Sequence, residues 1–183
     1  QSESIEDPET LLATCTDFLE EFPGDLPVLR TIAKLQSERD EVQGLMASLE
    51  KLFELTDDER ERSEALKQMA ILTWDHLDDA EMAAAYWEKY LERVPGDLDA
   101  YERYGDLLSG MDRHEDLIAL YRRLLEDESL SEHHRAFMRR LGLLLSSEQV
   151  NRRDEAMDVW RKLLEGGDDI ERPAIAFRPA RVG

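Results

Sequence analysis

Cysteine is nearly absent from the chain: Cys15 stands alone, so no internal disulfide can close and the fold does not depend on an oxidising compartment. Proline and glycine are scarce, at six and nine in 183 residues, and they gather at regular intervals. That disfavours the many-turned all-β classes and favours long helices. No apolar run reaches the ~20 residues that a helix needs to cross a bilayer, and no signal peptide opens the chain. Glycines come singly or as Gly166-Gly167, which leaves no phosphate-binding loop, and Cys15 has no cysteine partner for a zinc site. Cations are also short. Lysine and arginine number 23 against 43 acids, a net charge of −20. Such a surface repels phosphates and anionic bilayers, so neither nucleic acid nor direct membrane insertion is expected, and basic partners are favoured.

What is present is a globular composition, 42% hydrophobic and 36% charged, too apolar for a disordered chain. It also repeats. Phe18-Leu19-Glu20-Glu21-Phe22-Pro23-Gly24-Asp25-Leu26 returns as Tyr90-Leu91-Glu92-Arg93-Val94-Pro95-Gly96-Asp97-Leu98, with the prolines 72 residues apart, two units of about 36. In the clearest unit Tyr101, Tyr104, Gly105 and Leu108 make one helical stripe. Ser109-Gly110-Met111-Asp112 breaks it, and Leu117, Leu120, Tyr121, Leu124 and Leu125 make a second. Gly105 costs about 1 kcal/mol relative to Ala in a helix, which makes sense where a facing helix packs on its backbone. Pro-Gly-Asp between units reads as a stop, a turn and a cap for the next helix. Leu29, Ile32 and Ala33 begin another first helix, with Leu45, Leu49 and Leu52 on its partner. Met69, Ala70 and Trp74 pair with Ala83, Trp87 and Tyr90, and Leu141, Gly142 and Leu145 with Ala156, Trp160 and Leu163. Trp74, Trp87 and Trp160 are expected in the core, since all three fall on packing stripes.

These residues resemble a tetratricopeptide repeat, the helix-turn-helix module of about 34 residues. Tyr101, Tyr104, Gly105 and Leu108 match its first-helix signature, Tyr121 and Leu124 its second, and Pro95 its closing proline. The resemblance runs from about Glu9 to Leu164 and is strongest from Ala83 to Leu125. Departures are Leu117 for the usual Ala, Ile71 for the usual Gly, and two units with insertions of roughly four or five residues. The resemblance implies an all-α, right-handed solenoid of antiparallel helix pairs, about four repeats plus an N-terminal half-repeat. The expected divisions are a half-repeat over 1–25, repeats over 26–59, 60–97, 98–131 and 132–167, and an extended or disordered tail over 168–183. The start at Gln1 and the lone first helix lead us to expect a segment of a longer array.

It further implies that first helices line a concave face on which a peptide or protein lies. First-helix residues off the packing stripe are then the candidate contacts: Arg30 and Lys34; Gln68, Leu72 and Asp75; Glu102 and Asp106; Arg139 and Leu143. Their charges run basic, acidic, basic, which suits a partner with a cationic centre. The carboxylate clamp of some family members is not expected, because Met69 and Asp99 stand at two of its places and Asp99 would repel a carboxylate. Residues 1–25 carry eight acids and no base, whereas 132–167 carry seven bases and six acids. That asymmetry fits a polar terminal cap and also allows homo-oligomers through head-to-tail contact. In the tail, Ile175, Phe177 and Arg178 form a cationic, apolar-studded stretch that either docks into an acidic groove or serves as a linker.

Acid pairs are too frequent at this composition to signal acid–base catalysis. His133 and His134 point about 100° apart on a helix, and His76 beside Asp75, Asp78 and Asp79 reads as a solvated loop. No cofactor, no metal and no catalytic activity are expected. The reading is a cytoplasmic protein-interaction scaffold. Two alternatives stay open: a regulatory or substrate-recruiting segment of a larger enzyme, and a chaperone-like holder of a secreted or pilus subunit.

Overall fold

The structure, a computed structural model, describes residues 7–165. Among these residues lie nine α-helices and no strand. In order they are α1 (Pro8–Glu21), α2 (Leu26–Glu38), α3 (Val42–Leu55), α4 (Glu59–Leu77), α5 (Ala80–Arg93), α6 (Leu98–Gly110), α7 (His114–Glu126), α8 (His134–Ser146) and α9 (Arg153–Glu165). A short 3-10 turn at Glu128–His133 precedes α8.

Aspartate side chains cap four of these helices. The carboxylates of Asp25, Asp79 and Asp97 each accept the backbone N–H three residues on, at 3.0 Å, and open α2, α5 and α6. Asp58 accepts from Arg60 N–H at 2.9 Å at the start of α4. Each such cap satisfies a donor that the first helical turn leaves orphaned, and contributes about 1 kcal/mol. Aspartate also turns the chain inside each helix pair. Asp40, Asp78, Asp112 and Asn151 hold φ of 54°, 52°, 56° and 51°. These are the residue types, after glycine, that enter the left-handed region most readily, because their short side chains bond locally. One such residue sits between α2 and α3, between α4 and α5, between α6 and α7, and between α8 and α9.

The chain divides into two compact units between Asp112 and Arg113, inside the stretch 98–131 that the sequence reads as one repeat. In the first unit each helix from α1 to α6 packs on the next. Leu29, Ile32 and Ala33 of α2 are buried, as are Leu45, Leu49 and Leu52 of α3. So are Met69 and Ala70 of α4, Ala83, Trp87 and Tyr90 of α5, and Tyr101, Tyr104 and Leu108 of α6. Fully burying a side chain of the Leu or Met class contributes about 1.5–3 kcal/mol, so these stripes hold the helices in register. The first helix, α1, contacts α2 alone among the described helices and buries no residue; Phe18 and Phe22 stack on it at 4.8 Å between ring centroids.

In the second unit Ile118, Leu141, Leu145 and Ala156 form a core against which Tyr121, Leu125 and Trp160 pack. A close approach to a helical glycine's backbone occurs at Gly142. A Cβ added there would lie 2.7 Å from two atoms of the Trp160 indole, so the missing side chain is what lets α9 lay its ring on α8.

Trp74 departs from the expectation of a core position. It is 44% exposed, whereas its neighbour Thr73 is fully buried. The buried stripe of α4 runs Leu66, Met69, Ala70, Thr73, and the steps of three and four leave Trp74 at its edge. Helix α4 is also 19 residues long against 13 for α2 and α6, and with the buried stripes aligned most of the extra length lies at its N-terminal end, before Ser63.

Candidate functional site

Within the first unit, two depressions lie between successive first helices, one between α2 and α4 and one between α4 and α6. One is lined by α2, α3 and α4 and includes three of the sequence-selected residues, Arg30, Lys34 and Gln68. Its floor is apolar, from Ala33, Leu49, Leu52 and Ala65. Its rim is charged with both signs, as Arg60, Asp58, Glu61 and Glu64 add to Arg30 and Lys34.

Arg30 is not a free cation on that rim. Its Nε and Nη2 donate to the two carboxylate oxygens of Glu61 at 2.5 and 2.9 Å, a bidentate pair that ties α2 to α4. Thr56 donates its hydroxyl to the same carboxylate. The hydrogen bond from Arg30, reinforced by Thr56, brings the Glu61 carboxyl down to about 2, and the pair in turn raises the Arg30 guanidinium pKa. The two residues are 31 positions apart, which is why no local pattern revealed the pairing. The basic end of the expected charge run is therefore largely neutralised. Lys34, 3.8 Å from Glu38 and with its side chain 76% exposed, projects from this rim, and Arg60 is exposed on it as well.

A second strut lies one repeat on. Lys67 of α4 donates to the Asp97 carboxylate at 2.7 Å, and the Tyr90 hydroxyl donates to the same oxygen at 2.6 Å. Burial works against charge on Asp97, but the hydrogen bonds from Lys67, Tyr90 and Ala100 N–H outweigh it and hold this carboxyl at about 2. Burial likewise pushes the Tyr90 phenol up, and the bond to Asp97 raises Lys67. Both struts join a cation on one first helix to an acid at the start of the next. They fix repeat spacing rather than offer groups to a ligand.

The second depression, about 170 Å³, gathers Ile71, Trp74 and Asp75 of α4, Trp87 of α5, and Arg103, Asp106 and Leu107 of α6. It brings together two more of the selected residues, Asp75 and Asp106, both exposed. Sequence reasoning missed Trp74, Ile71 and Arg103 as members of this site. The stripe pattern assigned Trp74 to the core, and the edge position that exposes it is visible only once Thr73 is known to be buried. Leu72 is half-buried on α4, and Gln68 bonds to Glu64 through its side-chain amide at 3.1 Å. Glu102 is exposed on α6.

In the second unit Arg139 and Leu143 are exposed on α8, Leu143 by 55%. They do not line the depression found there, which Leu125, Met138, Leu141 and Val159 form with Arg122, Glu155 and Lys162. Arg122 pairs with Glu155 across its mouth. The tail residues Ile175, Phe177 and Arg178 lie outside the described residues. Among the described residues, no group of three or more His, Cys, Asp or Glu side chains is placed to hold a metal ion, and no helix is long and apolar enough to cross a membrane.

No protein-family model matches the chain, and no curated protein matches its sequence. Solved structures do match its fold. MamA superposes with a TM-score of 0.54 at 19% identity, over 87% of this chain and 88% of that one. A MamA fragment, 41 to the end, from Desulfovibrio magneticus RS-1 gives a TM-score of 0.51 at 16% identity, over 87% and 85%. YrrB, a TPR protein with an unusual peptide-binding site, gives 0.55 at 14% identity, over 88% of this chain and 79% of that one. At these identities the likeness speaks to the fold alone, and on that it agrees with the buried stripes, the Asp caps of α2, α4 and α6 and the left-handed turn in each pair. The chain has the all-α, paired-helix repeat fold of the tetratricopeptide-repeat proteins.

Proposed function

We propose that the chain is a non-catalytic interaction scaffold that holds a peptide or protein partner against its first helices, in the concave face of the repeat array. The observation that carries this reading is the open groove between α2 and α4, apolar along its floor and charged along its rim. An extended peptide buries side chains in such a floor while its polar groups meet the rim, and no enclosed cavity of the kind that surrounds a small reacting molecule is required. The likeness to YrrB, itself a peptide-binding TPR protein, supports the same use of the fold. The net charge of −20 favours partners that bring a basic segment.

The test is peptide selection. A displayed library panned on the parent should enrich a sequence class that carries basic residues, and the Glu38→Lys/Glu64→Lys variant, which reverses two acids on the groove rim, should lose most of that class while keeping its helical circular dichroism. No enrichment by the parent, or equal binding of the same peptides by the variant, would overturn the reading.

A further inference from the structure

The notch around Trp74 contains parts that the scaffold reading does not explain. A large aromatic side chain lies 44% exposed in the last turn of α4, at a place where the stripe pattern would bury it. Two carboxylates from different helices, Asp75 of α4 and Asp106 of α6, line the same small depression. Among the described residues neither of these carboxylates is in an ion pair, in a surface where Arg30, Lys67, Arg122 and Arg152 all are. Trp87, only 2% exposed, and the apolar Ile71 and Leu107 back the notch. Its α4 wall is the C-terminal end of a 19-residue helix, where unsatisfied carbonyls concentrate negative partial charge. Arg103 stands on the same wall as Asp106, so the side chains alone leave one net negative charge, to which the helix end adds.

An indole face beside carboxylates and a helix C-terminus attracts a cation, and the planar guanidinium does so best. It stacks on the ring while its N–H groups fork onto a carboxylate, whereas an ammonium offers only a point charge. At about 170 Å³ the notch is of a size to take one side-chain head group. We propose that the Trp74–Asp75–Asp106 notch is a subsite for a single arginine side chain of the partner. The remaining peptide runs on along the first helices, so the arginine sets the register in which the partner lies. This rests on the scaffold reading and sharpens it: the basic preference expected from net charge becomes one addressed position.

The test uses two blocked pentapeptides on the full chain: one arginine among four alanines, and the same peptide with citrulline, which keeps the shape and loses the charge. Indole N–H resonances report the tryptophans separately, with Trp74 assigned by its loss in Trp74→Phe. The arginine peptide should shift the Trp74 signal saturably and leave Trp160 unmoved. Citrulline should need at least about tenfold more peptide, as should arginine on the Asp75→Asn/Asp106→Asn variant. A silent Trp74, an equal response to citrulline, or undiminished binding by the double variant would each overturn the proposal. These outcomes are independent of the Glu38 and Glu64 selection. A dead notch leaves the groove standing, and a dead groove leaves the notch titration intact.

Discussion

Pro23-Gly24-Asp25-Leu26 and Pro95-Gly96-Asp97-Leu98 are the same four residue types in the same local role, yet the structure loads them differently. Each aspartate caps the helix that follows, at 3.0 Å to the N–H three residues on. There the similarity ends. Asp97 also accepts from Tyr90 and Lys67, while the residue that takes the place of Tyr90 in the first copy is Phe18, which has no hydroxyl to give. Lys67 reaches Asp97 from α4, 30 residues upstream, whereas among the described residues α1 alone precedes Asp25. The Pro-Gly-Asp-Leu motif thus specifies its cap by itself, while the further bonds depend on residues outside it, Tyr90 and Lys67.

Removing the two carboxylates is the strongest way to break this comparison. Asp97→Ala should cost about 2–4 kcal/mol, the cap together with a Tyr90 hydroxyl left without its acceptor, whereas Asp25→Ala should cost only about 1 kcal/mol. Urea unfolding of the two variants reads this directly, and equal losses would mean that the long-range bonds contribute nothing. Acid sharpens it further. Asp97 and Glu61 are held at about 2, below the ~4 of an unfolded carboxyl. Their contribution is therefore complete above about pH 4 and is lost as pH falls through about 2. Asp97→Asn, which keeps a capping oxygen, should flatten the fall in melting temperature between those values.

A second pair of like residues in unlike surroundings makes the same point. At Gly142 an added Cβ meets the Trp160 ring at 2.7 Å, and a packed indole does not move cheaply. Gly142→Ala should lose about 1 kcal/mol net, because overpacking of about 1–3 kcal/mol exceeds the helix-propensity gain of about 1 kcal/mol. Tyr90→Phe follows at about 1 kcal/mol, the usual net value of one hydrogen bond, and makes the second turn resemble the first. Gly44→Ala should change stability least, within about 0.5 kcal/mol. Its Cβ meets only the amide end of Gln36, a flexible side chain that can swing aside at the expense of its bond to Ser48. Thermal melts of the three rank them.

Much of the fold was legible because it is local. The apolar stripes through Leu29, Ile32 and Ala33 or through Tyr101, Tyr104 and Leu108 sit at helical spacing, and each Pro-Gly-Asp announces a stop and a cap. The left-handed Asp40, Asp78, Asp112 and Asn151 mark every pair in the same way, but a lone Asp carries no signal until the backbone shows its φ. The site was less legible. Arg30 looked like an offered cation because Glu61, 31 residues away, could not be identified as its partner. Trp74 looked like core because helical periodicity says which side a residue is on, and not how far the neighbouring helix extends to cover it.

The central claim is that partners lie on the first helices. Titrating the full chain with its best selected peptide, and following backbone amide chemical shifts, tests that claim most directly. Shifts should concentrate on α2, α4 and α6, around Lys34, Leu72 and Asp106, and on α3 and α5 should stay confined to the neighbourhoods of Leu49, Leu52 and Trp87. Shifts confined to the second helices, or saturable binding that leaves α2 and α4 silent, would contradict it.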